Sequence, residues 1–437
     1  MTKREFQIGM VGTFDVENYG DLLFPLIARA ELSQRLGPMN LHCFSYRQKT
    51  LPEWPFEVNA LSEFPRRVRD LDGLLIGGGH ILRFDKKVAP NYFPPAPGVH
   101  HPTGYWLAPA LIALNNGLPV AWNAPGLNGQ VREWAAPLMK LAFGGSDYVS
   151  VRDENSKQVL ARFVDDRRVQ VIPDSAFGLA RVLDEHSLAE CTRLRSEIGL
   201  SKPYIVLQAN RDLGPFMGFV RRQAKLFEPY QLLMLAAAPV NGDDDQMFGK
   251  VPAEVLRLPG YPNPLVLAQL IRQADAVVAV SLHVSISALA FGVPLFRPLG
   301  FSSGKHSILS GLDGVYTFTA DDRNNRELFA SMPARTGPSP AISTALVQLD
   351  EHWDRIASVF ASEKEVTTTP TAISTFWQAI PGLLEERSNE AIVSELNIRN
   401  REIEDLRNST SWKITAPLRT FIDFWRREKG NDRPLAH

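Results

Sequence analysis

The sequence has 437 residues, of which 44% are hydrophobic and 22% are charged, and its formal net charge is -1. This length exceeds the usual size of one hydrophobic core and predicts two domains. The near-zero net charge excludes nucleic acid as an expected partner, because no basic excess is available to attract a polyanion. Cys43 and Cys191 lie in no metal or redox spacing, and residues 1–9 lack the apolar core of a signal peptide. Both features predict a cytoplasmic protein.

Short apolar runs alternate with stretches of helical periodicity, which predicts parallel sheets flanked by helices. In the first half the predicted strands are 6–14, 41–46, 73–76, 119–123, 148–151 and 169–172, and the clearest helices are 22–36 and 108–115. After a polar helical stretch at 184–199, the predicted strands are 204–208, 231–236, 255–258, 276–280 and 293–296. Residues 276–296 are apolar enough to imitate a membrane span, but a histidine, several serines and a Gly-Val-Pro break predict strand, turn, helix and strand instead.

These patterns predict an α/β fold in which two doubly wound, Rossmann-like domains face a cleft, an architecture called GT-B-like, followed by a helical tail. The predicted boundaries are 1–185 for the first domain, 186–385 for the second and 386–437 for the tail. Open α/β sheets bind ligands beyond the carboxyl ends of their strands. The chemistry is therefore expected in the cleft.

The tail carries apolar residues at helical spacing on an otherwise charged sequence. Ile392, Leu396, Ile403 and Leu406 form a first stripe, and aromatic and aliphatic residues within 412–425 form a second, with an excess of basic residues around it. Aromatic and basic residues on one helix suit a membrane surface. Docking on the same chain or on a partner subunit explains these stripes equally well, so peripheral membrane contact and self-association both stay open.

An apolar strand at 73–76 runs directly into Gly77, Gly78 and Gly79. Glycine tolerates positive φ and lacks the Cβ that would block a close approach, so consecutive amides can converge on a phosphate or carboxylate oxygen. The turn therefore predicts an anion site in the first domain. A tight strand-to-helix turn that binds no ligand is the alternative interpretation of the same residues.

The loop after the first strand ends in Asn18, Tyr19, Gly20 and Asp21. Asp21 is predicted to cap the helix that starts at Leu22. Asn18 and Asp21 are also predicted to hold a sugar hydroxyl, and Asp21 could take its proton. Gly20 would permit a tight approach to this loop.

Two later strands end in charged side chains. Arg152 follows the strand at 148–151 and is predicted to clamp an anion in the cleft, with an ordinary ion pair as the alternative. Asp153 is predicted to be the N-cap of the next helix. Asp174 follows the strand at 169–172 and places a carboxylate at a strand end, although an isolated Asp there more often caps a turn.

His283 lies at the junction between a predicted strand and a helix N-terminus that begins near Ser281. Free amides and the helix dipole favour an anion there, and an imidazole can donate a proton as that anion develops charge. A histidine that only packs in the structure is the alternative. Lys305 follows a glycine and is predicted to supply a second positive charge, unless it is a solvated surface lysine.

Several motifs in this order carry a family resemblance over about residues 6–314. They are Asn18-Tyr19-Gly20-Asp21, Gly77-Gly78-Gly79, the stretch 150–156, Pro173-Asp174, Ser281-Leu282-His283 with Gly292-Val293-Pro294, and Gly304-Lys305. In order and spacing they resemble the polysaccharide pyruvyl transferase family. The family typically has Arg-Leu-His where this chain has Ser281-Leu282-His283, so an arginine expected near the donor phosphate is absent. The candidates to replace it are Arg152, Arg211, Arg297 and Lys305.

The resemblance implies a bacterial transferase that moves pyruvate from phosphoenolpyruvate to a sugar or lipid-linked oligosaccharide as a cyclic ketal, in the synthesis of exopolysaccharide or cell-surface polysaccharide. It implies catalytic roles for His283, Asp21 and Asp174, donor binding by Gly77, Gly78, Gly79, Arg152, Ser281 and Lys305, and acceptor binding by Asn18 and Tyr19. Phosphoenolpyruvate is then a co-substrate. No cofactor or metal is expected, because this chemistry needs an acid, a base and an anion clamp.

Two rival functions are compatible with the same fold. The first is a GT-B-type glycosyltransferase that uses a nucleotide sugar. Such enzymes usually bind the nucleotide ribose through carboxylates of the second domain, and the absence of Asp and Glu between Asp275 and Asp313 disfavours this reading. The second is a non-catalytic family member that acts in a polysaccharide assembly complex.

Overall fold

The structure is a computed structural model that describes residues 4–51, 54–83, 102–128, 131, 135–244, 255–300, 304–319, 321–362, 396, 398–406 and 409. For residues 102–105, 128, 304, 305 and 307 it describes the backbone alone. The chain divides into two compact units, Met1–Ala379 and Ile380–His437. The site residues predicted from the sequence all belong to the first unit.

The strands of the first unit, in chain order, are β1 Phe6–Val11, β2 Met39–Ser45, β3 Val58–Ala60, β4 Gly73–Ile76, β5 Leu82–Arg83, β6 Val120–Trp122, β7 Leu127–Asn128, β8 Val149–Val151, β9 Val169–Val171, β10 Tyr204–Gln208, β11 Gln231–Leu235, β12 Val255–Arg257, β13 Ala276–Val278, β14 Leu295–Pro298 and β15 Val315–Phe318. One parallel sheet has the strand order β3-β2-β1-β4-β6, and another has the order β12-β11-β10-β13-β14-β15. The short pairs β5-β7 and β8-β9 are parallel as well.

The helices are α1 Tyr19–Leu36, α2 Phe64–Arg67, α3 Pro102–Asn115, α4 Ala136–Gly145, α5 Glu154–Leu160, α6 Glu185–Glu197, α7 Gly214–Arg222, α8 Ala224–Phe227, α9 Pro264–Gln273, α10 Leu282–Ala290, α11 Asp322–Ala330 and α12 Pro340–Ala361. Fully buried apolar strands such as β4 and β10 are typical of a parallel sheet that is covered on both faces. The two doubly wound sheets confirm the predicted α/β, GT-B-like fold. We call the parts built on the first and second sheets the first lobe and the second lobe.

Several strands are shorter than the apolar runs that predicted them. The first ends at Val11, not at residue 14, because Phe14 already belongs to the loop at the carboxyl end of the sheet. The run at 276–280 gives only the short strand β13, since Val280 and Ser281 turn towards α10. The sequence did not predict β15 or α12.

The last described helix of this unit, α12, returns from the second lobe to pack on the first. It lies against α1, β6 and the 3-10 segment Ser175–Arg181. His352 of α12 is completely buried, accepts a hydrogen bond from the Tyr148 hydroxyl at 2.9 Å and donates to Asn123 Oδ1 at 3.0 Å. Burial, and then the charges of nearby arginines, lower the pKa of His352 to about 3. A neutral histidine therefore joins α12 to the first sheet.

The predicted tail lies almost wholly outside the described residues. Within it, residues 398–406 are helical, and Leu396, Ile403 and Leu406 of the first stripe are exposed. Ile392 and the second stripe, 412–425, lie outside the described part of the chain. No helix that the structure describes is long and apolar enough to cross a membrane.

Candidate functional site

The sheet topology brings the predicted site residues to two neighbouring edges. In each sheet the strand order reverses between the first and fourth strands of that sheet, β1 and β4 in one and β10 and β13 in the other. The loops that follow such strands form the crevice where doubly wound folds bind ligands. Gly77 follows β4, α1 follows the β1 loop, and His283 follows β13 in the first turn of α10.

His283 of the second lobe meets Asp174 of the first. Its Nε2 lies 3.5 Å from Asp174 Oδ2, and the two side chains are 13% and 2% exposed. The other carboxylate oxygen, Oδ1, accepts the amide of Ala176 at 3.0 Å, so Asp174 also caps the 3-10 segment. The Phe24 ring also packs on the imidazole, with 5.4 Å between ring centroids and 84° between ring planes. Asp174 thus caps the 3-10 segment with one carboxylate oxygen and faces His283 with the other.

The environment of Asp174 holds it in the charged form. Burial raises the pKa of this carboxyl, but contact with His283, the Ala176 amide and the charge of Arg152 together outweigh burial and lower it. Asp174 is therefore ionised at neutral pH. The charged carboxylate faces Nε2 of His283 and can orient the imidazole, as a base-orienting carboxylate does in hydrolytic triads.

Gly20 lets α1 approach the imidazole. A Cβ added at Gly20 would lie 2.6 Å from His283 Cε1 and closer still to Nδ1 and Cγ. Any other residue would therefore push the ring away from its place. Because Gly20 has no side chain, α1 packs directly against the Nδ1 side of the ring.

The glycine turn has the geometry that the sequence predicted but uses most of its amides internally. Gly77, Gly78 and Gly79 have φ of 103°, 91° and 77°, which L side chains rarely adopt. However, the Gly77 amide donates to Val11 O and the Gly78 amide donates to Asn123 O, each at 3.0 Å. The prediction that three consecutive amides converge on an anion is wrong for these two. The glycines instead allow close packing, because a Cβ at Gly78 would meet Phe24 Cδ1 at 2.5 Å.

Asn18, not Asp21, occupies the N-cap position of α1, so the predicted Asp21 cap is wrong. The helix starts one turn earlier than predicted because Tyr19 and Gly20 already adopt helical conformation. Asp21 lies in the first turn, accepts a hydrogen bond from Asn18 Nδ2 at 2.7 Å and lies close to Gly79. Asn18 and Asp21 are both partly exposed.

Tyr19 is 1% exposed, which is incompatible with the predicted contact to an acceptor. Its hydroxyl shares a hydrogen bond of 2.8 Å with Ser287 Oγ in α10, and its amide donates to Ala237 O at 2.9 Å. Burial raises its pKa well above the ordinary value. Tyr19 therefore joins α1 to the second lobe.

Arg152 is buried between the glycine turn and the site. Its guanidinium donates to His80 Nδ1, lies 3.3 Å from Asp153 Oδ2 and packs directly over Gly126. Asp153 accepts the Ser156 amide at 2.7 Å and is the N-cap of α5, as predicted. The ion pair that was the alternative for Arg152 is therefore present. Its positive charge nevertheless acts on Asp174.

Ser281 is the N-cap of α10, but its side chain caps no amide. Its own amide and that of Val280 donate to Gln208 Oε1, at 2.7 and 2.9 Å. Gln208 Nε2 in turn donates to both carboxylate oxygens of Asp243, at 2.9 and 3.1 Å. The sequence analysis missed Gln208 and Asp243; the only signal was that Gln208 ends a buried strand.

The candidates to replace the family arginine lie in different places. Arg297 is buried and donates to Val280 O, next to Ser281. Arg211 is exposed and lies 3.9 Å from Asp212. Lys305 lies in the 3-10 segment Gly304–Leu309, and its side chain lies outside the described residues. Within the described part of the chain, no three His, Cys, Asp or Glu side chains are grouped as a metal site requires.

A sequence profile of the family described as Polysaccharide pyruvyl transferase matches residues 18–300, which is more than half of the chain. The chain belongs to this family. The matched range includes the glycine turn, Arg152, Asp174 and His283, and it ends before Lys305. No curated protein sequence matches the chain.

Solved structures of nucleotide-sugar enzymes share the fold. UDP-GlcNAc 2-epimerase from Methanocaldococcus jannaschii is 13% identical and has a TM-score of 0.49, covering 80% of this chain and 100% of its own. The enzyme from Neisseria meningitidis, bound to UDP-GlcNAc, is 12% identical and has a TM-score of 0.47, covering 86% of this chain and 100% of its own. At such values the likeness carries no argument about the activity of the family member described here.

Proposed function

We propose that this protein transfers pyruvate from phosphoenolpyruvate to two hydroxyl groups of a sugar, as a cyclic ketal, in the synthesis of a bacterial exopolysaccharide or cell-surface polysaccharide. The observation that carries the proposal is the contact between His283 and the ionised Asp174 across the two lobes, in a chain of the polysaccharide pyruvyl transferase family. The acceptor is a sugar or a lipid-linked oligosaccharide.

The reaction needs a proton donor first. A proton added to the methylene carbon of phosphoenolpyruvate converts it to a methyl group and leaves a cation at the neighbouring carbon. One sugar hydroxyl attacks that carbon and loses its proton, phosphate leaves, and a second hydroxyl closes the ketal. Of the two hydroxyl protons released, one replaces the proton given to the methylene carbon and the other leaves with phosphate.

His283 supports the role of acid in this sequence. Asp174 lies 3.5 Å from Nε2 and orients the ring, and an imidazole held in this way is a common proton donor in general acid catalysis. Nε2 faces Asp174, which leaves Nδ1 as the ring nitrogen that would give up the proton. Asp21, paired with Asn18, is the carboxylate that could accept a proton from the sugar hydroxyl.

The test is turnover with phosphoenolpyruvate and candidate lipid-linked sugars, followed as phosphate release matched by an acidic ketal on the product. His283→Ala should lower turnover by about 100-fold or more, since general acid catalysis contributes that much. The matched control is His186→Ala, because His186 lies on α6 with 80% of its side chain exposed. Near-normal turnover in His283→Ala would refute the role of His283. Consumption of a nucleotide sugar by the unmodified protein, without use of phosphoenolpyruvate, would refute the proposed reaction.

A further inference from the structure

Arg297 is a buried cation without a buried anion. It lies near the carboxyl end of β14 and is 3% exposed. One guanidinium nitrogen, Nη2, donates to Val280 O at 3.0 Å and to His306 Nδ1 at 2.9 Å. Among the residues that the structure describes, Nε has no acceptor and no carboxylate pairs with the guanidinium.

The groups around Arg297 do not neutralise its charge. His306 accepts a hydrogen bond at Nδ1, so that nitrogen carries no proton, and the imidazole offers a lone pair but no negative charge. Burial lowers the pKa of Arg297 to about 10, and the group is still protonated at neutral pH. A buried charge without a partner is destabilising unless something of opposite charge occupies the site.

The position of Arg297 indicates where that opposite charge belongs. The guanidinium donates to the carbonyl oxygen of Val280. Val280 immediately precedes Ser281, the N-cap of α10. The first-turn amides of a helix have no acceptor inside the helix, and the dipole makes that end positive. Here the Ser281 side chain does not cap them, and Gln208 satisfies only the amides that precede the first turn. The helix end and the guanidinium therefore favour the same kind of ligand.

We propose that Arg297 and the N-terminus of α10 form a binding site for an oxyanion, the phosphate or carboxylate group of the donor. His283 belongs to the same first turn, so this places the anionic end of the donor beside the proposed acid. The identity of the donor rests on the function proposed above. The binding of an oxyanion by Arg297 does not, and it can be measured without turnover.

Arg195 provides the matched control. Its Nε is likewise buried without an acceptor, its guanidinium lies 5.4 Å from the centre of the Tyr204 ring, and Nη1 donates to Gln273. Tyr204 begins β10, so Arg195 lies at the amino edge of the second sheet, opposite to the edge that carries α10. The N-terminus of α10 is therefore not next to Arg195.

The experiment is titration calorimetry with inorganic phosphate and with phosphoenolpyruvate, together with the melting temperature without ligand. Arg297→Gln should weaken binding of both ligands at least tenfold, Arg297→Lys should weaken it less, and Arg195→Gln should leave it unchanged. Because the unpaired charge is removed, Arg297→Gln should melt at or above the temperature of the unmodified protein when no ligand is present. If Arg297 were needed only for folding, Arg297→Gln would instead melt at a lower temperature than the unmodified protein.

Each possible outcome decides the inference. Unchanged affinity in Arg297→Gln, a large drop in its melting temperature, failure of that variant to fold, or no binding of either anion by the unmodified protein would overturn it. If the unmodified protein binds phosphate through Arg297 but releases none from phosphoenolpyruvate with any acceptor, the oxyanion site stands and the proposed reaction fails. If turnover occurs and Arg297→Gln retains it with unchanged affinity, the reaction stands and the site fails.

Discussion

Replacing Gly20 by Ala separates helix stability from the geometry of the site. Gly20 is helical, so alanine should favour the helix by up to about 1 kcal/mol. The same methyl group would lie 2.6 Å from His283 Cε1 and closer to Nδ1. Since carbon atoms pack at about 3.5–4.0 Å, the imidazole must retreat by about 1 Å or more. Such a shift strains the contacts with Asp174 and Phe24.

The expected result is a large loss of activity with a modest loss of stability. A displacement of about 1 Å can lower the rate about 100-fold. Overpacking costs about 1–3 kcal/mol, which the helix gain partly offsets, so the free energy of unfolding should fall by no more than about 2 kcal/mol. The assays are phosphate release from phosphoenolpyruvate and urea unfolding. The control is Gly214→Ala in α7, where an added Cβ meets nothing within 4 Å.

Making the same substitution in the His283→Ala variant tests the steric reasoning without relying on the proposed reaction. In His283→Ala the imidazole is gone, so adding Gly20→Ala should cost no stability and should show the helix gain alone. The coupling free energy between the two substitutions should therefore be at least about 1 kcal/mol, as expected for residues in contact. If Gly20→Ala costs the same stability with and without the imidazole, or retains more than half of the activity, the reasoning is wrong.

Two further predictions concern buried polar groups. His352 has a pKa of about 3 in the folded chain against an ordinary value of 6.5, so the unfolded chain binds the extra proton and stability should fall as the pH drops below 6.5. His352→Gln should lessen that slope by up to about 1.4 kcal/mol per pH unit in urea unfolding between pH 7 and 5, and an unchanged slope would exclude His352 as its source. Gln208→Glu removes the donor that faces Asp243 and should cost about 1–3 kcal/mol, whereas adding Asp243→Asn should recover part of the loss. Additive losses in thermal unfolding would contradict that pairing.

The sequence predicted the sheets because their strands are buried on both faces and read as continuous apolar runs. The sequence also predicted the edge at which the loops meet, because all strands of a parallel sheet end at the same edge. Asp153 was assigned correctly as a cap because only the residues next to it decide that role. Local chemistry was sufficient in these cases.

The errors occurred where a distant part of the chain decides the outcome. The glycines of the turn have the backbone that the sequence predicted, but Val11 and Asn123 accept two of their amides. Tyr19 looked accessible in its loop, yet Ser287 of the other lobe buries it. The link between Gln208 and Asp243 joins residues 35 positions apart, and nothing in either segment indicates the other.

The path of α12 affects how the protein is made. Phe360 of this helix lies against Gly73 of β4, where a Cβ would lie 2.7 Å from Phe360 Cε1 and closer still to Cδ1, and His352 reaches the neighbouring strand through Asn123. The first lobe thus lacks one wall of its interior until α12, Pro340–Ala361, has been synthesised. Chains usually fold domain by domain from the N-terminus. In this chain the first lobe remains incomplete while the second lobe is translated, so the part of its apolar sheet that α12 covers stays open to solvent during that time.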